Sequence, residues 1–298
     1  MHSFEEAARR AVNARSMASM AGAMACFVVN DAMVKYASQS LPAAQLIFLR
    51  GVMATVLVLA VAHASGATTR ISDIARGKVV VRALVDATAT MLYLSSLFHL
   101  PLGNATAINL AAPLVMVAFA VIFMGERVNL QRWLALLAGF AGVLLIIQPR
   151  AGGFNGWAWV CLLGTLFHAT RDLLTRQIAQ NVPSILITLA TAASVTILSG
   201  IASAVQGWKP FGVMELVMLG AASVFLAAGY YLIISAMRQG EMSLTAPFRY
   251  TSLLFALVIG FVVWGEVPNF AAWFGIALLL ASGLYVAQGN FRAPKQNP

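Results

Sequence analysis

Charged residues are scarce in this sequence. Asp, Glu, Lys and Arg make up only 10% of the 298 residues, while 60% are hydrophobic; a soluble domain has about 25% charged residues. A chain with so little charge cannot cover itself with a hydrated surface, which excludes an ordinary soluble protein.

Cysteine is scarce too. Cys26 and Cys161 both lie in apolar stretches, where they are expected to pack as small hydrophobic residues and indicate no redox compartment.

The sequence also lacks the short motifs of common catalytic sites. It contains no HExxH, no GxSxG and no Walker loop, and no cluster of carboxylates suited to a metal. Its polar positions are too few for the continuous polar lining of a channel. These absences disfavour a membrane-embedded enzyme and a channel, which stay open as alternatives, and we expect no catalytic residue, no metal and no cofactor.

Long apolar runs are abundant and predict membrane-spanning helices. A helix of about 20 apolar residues crosses a hydrocarbon core of about 30 Å, and the alternating pattern of a transmembrane β-barrel is missing. The ten runs are 16–38, 42–64, 79–98, 102–123, 131–148, 156–178, 183–206, 212–237, 242–264 and 270–290. The sequence therefore predicts an all-α polytopic membrane protein with ten transmembrane helices.

Basic residues are distributed unevenly between the two faces of this topology. The formal charge is +9, and a net positive charge by itself is compatible with binding to nucleic acid. With the N-terminus in the cytoplasm, fourteen Lys and Arg residues fall on the inner side, and only Lys35, Arg150 and Lys209 fall on the outer side. Short cytoplasmic loops of membrane proteins carry this bias. We therefore expect a lipid bilayer around the chain, no nucleic-acid partner and both termini in the cytoplasm.

Two segments recur about 140 residues apart. GERVNLQRW at 125–133 returns as GEVPNFAAW at 265–273, and NDAMVKYASQSLP at 30–42 aligns with RDLLTRQIAQNVP at 171–183. Five predicted spans, an odd number, separate the two copies of each segment. The copies should therefore lie on opposite faces of the membrane.

The arginines of the first repeated segment agree with this inversion. Arg127 and Arg132 occur only in the copy on the cytoplasmic side, and the other copy has Val267 and Ala272 in their places. The sequence predicts two inverted five-helix repeats, an architecture of secondary transporters. The predicted boundaries are a cytoplasmic segment 1–15, a first repeat 16–149, a second repeat 150–290 and a cytoplasmic tail 291–298.

These features resemble the drug/metabolite transporter superfamily, and specifically its ten-helix EamA-type exporters. The resemblance rests on the two five-helix halves, on the GE turn before the last helix of each half and on the stretch GNATAINLAAPLVMVAFAVIF that leads into the first turn. It covers residues 16–290. A closer similarity to aromatic amino acid exporters of the YddG type stays open. The family implies a carrier in the bacterial inner membrane, with a central cavity lined by helices 1, 3, 4, 6, 8 and 9, and with alternating access.

Charged residues inside the predicted spans need a partner or a function, because each costs at least about 2.5–3.5 kcal/mol in the membrane. Three carboxylates have a basic residue four positions away on the same helix: Asp31 with Lys35, Asp86 with Arg82, and Asp172 with Arg176. One interpretation is that these pairs neutralise themselves. The depth of Arg50 in span 2 favours instead a buried pair between Asp31 and Arg50. The candidates for coupling or gating are Asp31, Arg50, Asp86 and Asp172.

Arg249 is the main candidate for substrate contact. It and its repeat equivalent, Asn109, each lie close to a proline inside a predicted span. Prolines allow helix discontinuities, which tend to line binding cavities in transporters. We expect Arg249 to bind a substrate carboxylate or, alternatively, to pair with Asp172 or Asp86.

Aromatic residues and histidines complete the candidate site. Those on helices that the family uses for its cavity are Tyr93, His99, Trp159, His168, Tyr230, Tyr231, Phe248 and Tyr250. An interfacial aromatic belt or helix packing is the alternative for each. An aromatic wall with a few polar groups suits a flat or amphipathic small molecule. His168 lies four residues before Asp172, so it is also a candidate for coupling proton movement to transport.

The small number of free cations narrows the substrate class. Carriers of sugar phosphates in this superfamily need several cations for a multiply charged phosphate, whereas Arg249 alone is expected to be free here. A zwitterion or monocarboxylate fits better. The sequence therefore predicts a secondary transporter that exports small metabolites, in particular aromatic amino acids, by alternating access. A carrier for another small organic solute or drug-like compound is the alternative.

Overall fold

The structure is a computed structural model and describes residues 2–112, 114–115, 118–119, 122, 130–147, 155–179, 181–239 and 246–289. Ten α-helices and two 3-10 helices account for most of these residues. The α-helices are α1 (His2–Ala37), α2 (Ala43–Ala64), α3 (Gly77–Leu97), α4 (Leu102–Asn109), α5 (Leu130–Ile147), α6 (Trp157–Arg176), α7 (Ser184–Gln206), α8 (Val213–Gln239), α9 (Thr251–Trp264) and α10 (Phe270–Gly289). The 3-10 helices are Ala67–Ala75 and Ala246–Tyr250.

These helices follow the ten predicted spans. Five described segments are long and apolar enough to cross a membrane: Ala14–Ala37, Ala43–Ala64, Gly77–Leu97, Ser184–Gln206 and Val213–Ile233. The predicted all-α polytopic fold is confirmed. The predicted N-terminal segment 1–15 is largely part of α1, which begins at His2. The predicted tail 291–298 lies outside the described residues.

The helix contacts have two-fold pseudosymmetry. α1 packs on α8 as α6 packs on α3, α3 packs on α7 as α8 packs on α2, and α1 packs on α9 as α6 packs on α4. Adding five to the number of each first-half helix, and subtracting five from that of each second-half helix, converts one contact of each pair into the other. The remaining large contacts join equivalent helices, namely α2 with α7, α4 with α9, and α5 with α10. The fold therefore consists of two five-helix halves, α1–α5 and α6–α10.

Equivalent helices run antiparallel, so the two halves are inverted. At the start of α2, the backbone N–H of Ala44 donates to Oε1 of Gln206 at the end of α7, at 3.0 Å. Further along α2, Val58 packs in one cluster with Leu186 at the start of α7. A parallel repeat would bring the two starts together. The end of the bundle at which α1 and α9 terminate is the one that the charge bias places outside, and we call it the outer end.

Two glycines allow α5 and α10 to pack backbone against backbone. A Cβ atom added at Gly142 would lie 2.7 Å from the carbonyl oxygen of Gly275, and one added at Gly275 would lie 2.5 Å from that of Gly142. Small residues at such crossings are typical of membrane helices, which associate through close packing.

The second copy of the repeated turn shows why its residues recur. Gly265 ends α9 with φ of 66°, a left-handed conformation that favours glycine. The backbone N–H of Glu266 donates to the carbonyl of Gly260 at 3.1 Å, which completes a helix C-cap. Asn269 then caps α10, because its Oδ1 accepts from the N–H of Ala272 at 2.9 Å. The first copy of the turn, at 125–129, lies outside the described residues.

Two of the predicted spans depart from a regular α-helix within the described residues. α4 ends at Asn109 and is followed by a turn at 110–111. Arg249 lies in the 3-10 helix Ala246–Tyr250, directly before α9. The predicted discontinuities near these two repeat-related positions are therefore present, although Pro113 itself lies outside the described residues.

A central cavity as the candidate functional site

A cavity of about 520 Å³ lies between the two halves. Its wall takes residues from α1, α2, α3, α4, α6, α7 and α8, from the second 3-10 helix and α9, and Gly283 from α10. The family resemblance implies helices 1, 3, 4, 6, 8 and 9, and the structure adds α2 and α7. The volume is within the range of about 300–1,000 Å³ that is usual for small-molecule sites.

Most of the candidate residues from the sequence line this cavity. They are Asp31, Arg50, Tyr93, Asn109, His168, Asp172, Tyr230, Arg249 and Tyr250. Both halves contribute, and the charged residues among them come from four different helical elements. The pseudosymmetric packing thus brings together side chains that are far apart in the sequence.

Four aromatic candidates lie away from the cavity wall, contrary to expectation. Trp159 and Tyr231 are 43% and 74% exposed on the outside of the bundle. His99 stacks on Trp157 with 4.0 Å between ring centroids, and Phe248 packs among apolar residues of α1 and α8. These residues were selected because they lie on helices that line the cavity in the family. The packing of the helices determines which face of each helix borders the cavity.

Asp86 is buried beside the cavity in an ion-pair network. Its Oδ2 lies 3.2 Å from Nη1 of Arg82, and its Oδ1 lies 2.9 Å from Nη1 of Arg171. The predicted pair of Asp86 with Arg82 is confirmed. Nη2 of Arg171 also lies 2.9 Å from Oδ1 of Asp172, whereas the side chain of Arg176, the predicted partner of Asp172, lies outside the described residues.

Arg171 is a cavity residue that the sequence reasoning missed. It was counted among the basic residues of the cytoplasmic side. Its alignment with Asn30 in the first half, next to the paired aspartates, was the available signal. Its ion pair with Asp86 joins α6 to α3.

Asp31 faces the cavity with two hydrogen bonds and, among the described residues, no ion pair. Its Oδ1 accepts from Nδ2 of Asn30 at 2.9 Å, and its Oδ2 accepts from the hydroxyl of Tyr93 at 3.0 Å. Nη1 of Arg50 donates to Oδ1 of Asn30 at 3.3 Å. The predicted buried pair of Asp31 and Arg50 is therefore indirect, because the Asn30 amide lies between the two charged groups.

The repeat explains the difference between the two cavity aspartates. Asn30–Asp31 in the first half corresponds to Arg171–Asp172 in the second. In each half, the first residue donates to the carboxylate of the next, at 2.9 Å and 3.0 Å respectively. In the second half the guanidinium forms an ion pair with Asp172, whereas in the first half a neutral amide bridges Asp31 to Arg50.

Arg249 is a half-buried cation on the cavity wall. Within the described part of the chain its side chain forms no ion pair with a carboxylate. The two alternative partners predicted for it, Asp86 and Asp172, are both bound by Arg171. The guanidinium is therefore available to a solute in the cavity.

Polar groups from the aromatic residues and amides complete the wall. Nδ1 of His168 lies 2.8 Å from Oδ1 of Asn109, and the His168 ring lies 5.9 Å from that of Tyr93. The Tyr250 hydroxyl is buried and has no hydrogen-bond partner in the described residues. Tyr230 packs edge-on against Phe27, with ring centroids 5.3 Å apart.

Lys35 and Glu266 join three parts of the bundle at its outer end. Nζ of Lys35 lies 2.5 Å from Oε1 of Glu266 and donates to the carbonyl of Leu100 at 2.6 Å. Oε2 of Glu266 accepts from the N–H of Leu102 at 2.7 Å. The alternative in which Lys35 neutralises Asp31 is therefore wrong. The recurrence of the glutamate in both turns was the sequence signal for this pair.

The sequence matches known transporters. A family model described as the EamA-like transporter family matches the chain twice, at residues 15–148 and 155–287. The pseudopaline exporter CntI of Pseudomonas aeruginosa is 26% identical over 270 residues, which cover 87% of this chain and 89% of that protein. The S-adenosylmethionine uptake transporter of Rickettsia bellii is 24% identical over 265 residues, 89% of this chain and 90% of that protein.

One further relative and one solved structure are also similar to this chain. The riboflavin transporter of Rhizobium johnstonii is 24% identical over 217 residues, 73% of this chain and 72% of that protein. A solved crystal structure at 19% identity superposes with a TM-score of 0.63 and covers 93% of this chain and 99% of that chain, which supports the fold. Since the family model matches both halves and spans most of the sequence, the chain belongs to the EamA-like transporter family.

Proposed function

We propose that this transporter exports amino acids, with a preference for aromatic ones, from the bacterial cytoplasm by alternating access. Family membership and the printed names of the relatives support a carrier of small metabolites. The named relatives carry pseudopaline, S-adenosylmethionine and riboflavin, which are chemically diverse. The substrate class must therefore be argued from the cavity, and the direction of export from the resemblance to EamA-type exporters.

The observation that carries the proposal is a pair of opposite charges on the cavity wall. The Arg249 guanidinium and the Asp31 carboxylate both face the cavity, and neither forms an ion pair among the described residues. A zwitterion supplies one carboxylate and one ammonium, so it can satisfy both groups. Tyr93 and Tyr230 on the same wall provide aromatic surface for a flat side chain.

An exchange assay tests this substrate class. Proteoliposomes loaded with radiolabelled phenylalanine are expected to lose the label faster when external phenylalanine or tryptophan is added, and the effect saturates. Glucose 6-phosphate should leave the efflux unchanged, because the Asp31 carboxylate on the cavity wall repels a phosphate dianion. Saturable exchange with phosphate esters but not with amino acids would contradict the proposal.

A carrier for other small organic solutes is the second candidate. The diversity of the relatives' printed substrates favours it. In the same assay, riboflavin or S-adenosylmethionine would accelerate exchange while amino acids would not.

We further propose that the protein lies in the bacterial inner membrane with both termini in the cytoplasm. The support is the bias of Lys and Arg towards one side. Single cysteines introduced at Arg127 and Val267, in a variant without Cys26 and Cys161, should react with an impermeant maleimide from opposite faces, and the one at 267 from outside. Labelling of both positions from the same face would contradict the inverted topology.

A further inference from the structure

The contacts of Lys35 are concentrated at one place, between the cavity and the outer end. Its ammonium binds Glu266 and the carbonyl of Leu100 and lies 4.7 Å from the centroid of the Trp264 ring, a distance suited to a cation–π contact. The Lys35 and Glu266 side chains are only 9% and 19% exposed. This buried group of contacts joins α1 to the α3–α4 connection and to the α9–α10 turn.

The cavity wall ends on the inner side of this group. On α1 it extends from Met24 to Asp31, one helical turn short of Lys35. On α4 it begins at Thr106, and on α9 it extends no further than Ser252. In the described part of the chain, no wall residue lies between these positions and the ion pair. A solute in the cavity is thus separated from the outer end by the Lys35–Glu266 pair and the helix ends it joins.

We propose that the Lys35–Glu266 ion pair is the latch of an outer gate: it holds the outer end closed in this conformation and breaks when the cavity opens to the outside. This inference concerns the gate and does not depend on which solute is carried. Glu266 suits the role because its two carboxylate oxygens bind different elements, Lys35 on α1 and the first N–H of α4. When the gate opens, both charged groups become hydrated, so neither is left buried alone.

The position of the latch in the repeat supports a role in the transport cycle. Lys35 aligns with Arg176 at an offset of 141, and Glu266 aligns with Glu126 at an offset of 140. The sequence thus retains a base and an acid at both ends of an inverted repeat. The side chains of Arg176 and Glu126 lie outside the described residues, so the proposal rests on the outer pair.

Labelling of a cysteine in the cavity tests the latch. In a variant without Cys26 and Cys161, Ala227 on the α8 part of the wall is replaced by cysteine. An impermeant maleimide is added to the face from which a cysteine at 267 reacts. We expect Glu266→Gln and Lys35→Gln each to raise the labelling rate at 227 at least about tenfold, since the open state gains population when the pair is lost.

Three further variants make the test decisive. The double exchange of Lys35→Glu with Glu266→Lys should return the rate towards that of the parent. Glu126→Gln, which removes the equivalent glutamate at the other end, should leave the rate at or below that of the parent. A pair of cysteines at 35 and 266, joined by a cleavable thiol crosslinker, should lower labelling until the link is reduced, which tests the gate even if a glutamine variant folds poorly. Rates within twofold of the parent in both single variants, or unaffected by the crosslink, would overturn the proposal.

Discussion

Replacement of Arg249 by alanine is expected to reduce exchange of an aromatic amino acid by about 30-fold or more, through a higher KM. Loss of one partner of a buried, hydrogen-bonded charge pair costs about 2–5 kcal/mol, and each 1.4 kcal/mol is a factor of ten in affinity. Arg249→Lys should retain part of the activity, because it keeps the charge but loses the bidentate geometry of the guanidinium. The measurement is exchange in proteoliposomes containing equal amounts of folded protein.

A series of substrate analogues distinguishes carboxylate binding from a general loss of function. The alanine variant should lose its response to phenylalanine and 3-phenylpropionate, which both carry a carboxylate. It should change little towards phenethylamine, which has only the amine. Lys78→Ala is the matched control, because Lys78 is an exposed cation near the start of α3 and lies off the cavity wall. Normal amino acid exchange by the alanine variant would remove Arg249 from the binding site.

The architecture could be predicted from the sequence because the membrane leaves few alternatives. Apolar runs of the right length must be helices, since backbone groups in lipid have to be satisfied within each segment. The recurrence of the GE turn across five spans then indicated the inversion. The antiparallel contact between Ala44 and Gln206 confirms it. Even the discontinuity at Arg249 followed from prolines inside apolar runs.

The partners inside the cavity could not be predicted in the same way. Spacing along one helix identified the pair of Arg82 with Asp86, because both residues lie on one face. It failed for Lys35, whose partner Glu266 is 231 residues away in the sequence. It also overlooked Asn30, since an amide between two charges leaves no mark in a charge pattern.

The depth of a residue along its helix could be predicted from the sequence, but the rotation of the helix about its axis could not. Arg50 and Asp31 lie at similar depth, and both reach the cavity wall, yet their side chains meet through Asn30. Trp159 and His168 are both on α6, but only His168 faces the cavity. An apolar helix in lipid has hydrophobic residues on all sides, so its periodicity does not reveal which face packs inward.

Replacement of Asp86 by alanine is expected to cause the largest loss of stability, about 3–5 kcal/mol. Asp86 is only 2% exposed and bonds to both Arg82 and Arg171. Its removal leaves two arginines close together, with side chains only 13% and 19% exposed, and breaking a buried ion pair in this way costs about that much. The thermal midpoint of the protein in detergent or nanodiscs should fall by roughly 5–15 °C.

Asp73 provides a matched control for this effect, because it also binds two arginines. It lies 2.9 Å from both Arg70 and Arg76, but those side chains are 43% and 45% exposed. Water can solvate the two cations once the carboxylate is gone, so Asp73→Ala should cost about 1 kcal/mol or less. Equal shifts in the two variants would show that the cavity network is as well hydrated as the surface. In that case, burial would not be the reason why the ion pair between α3 and α6 stabilises the fold.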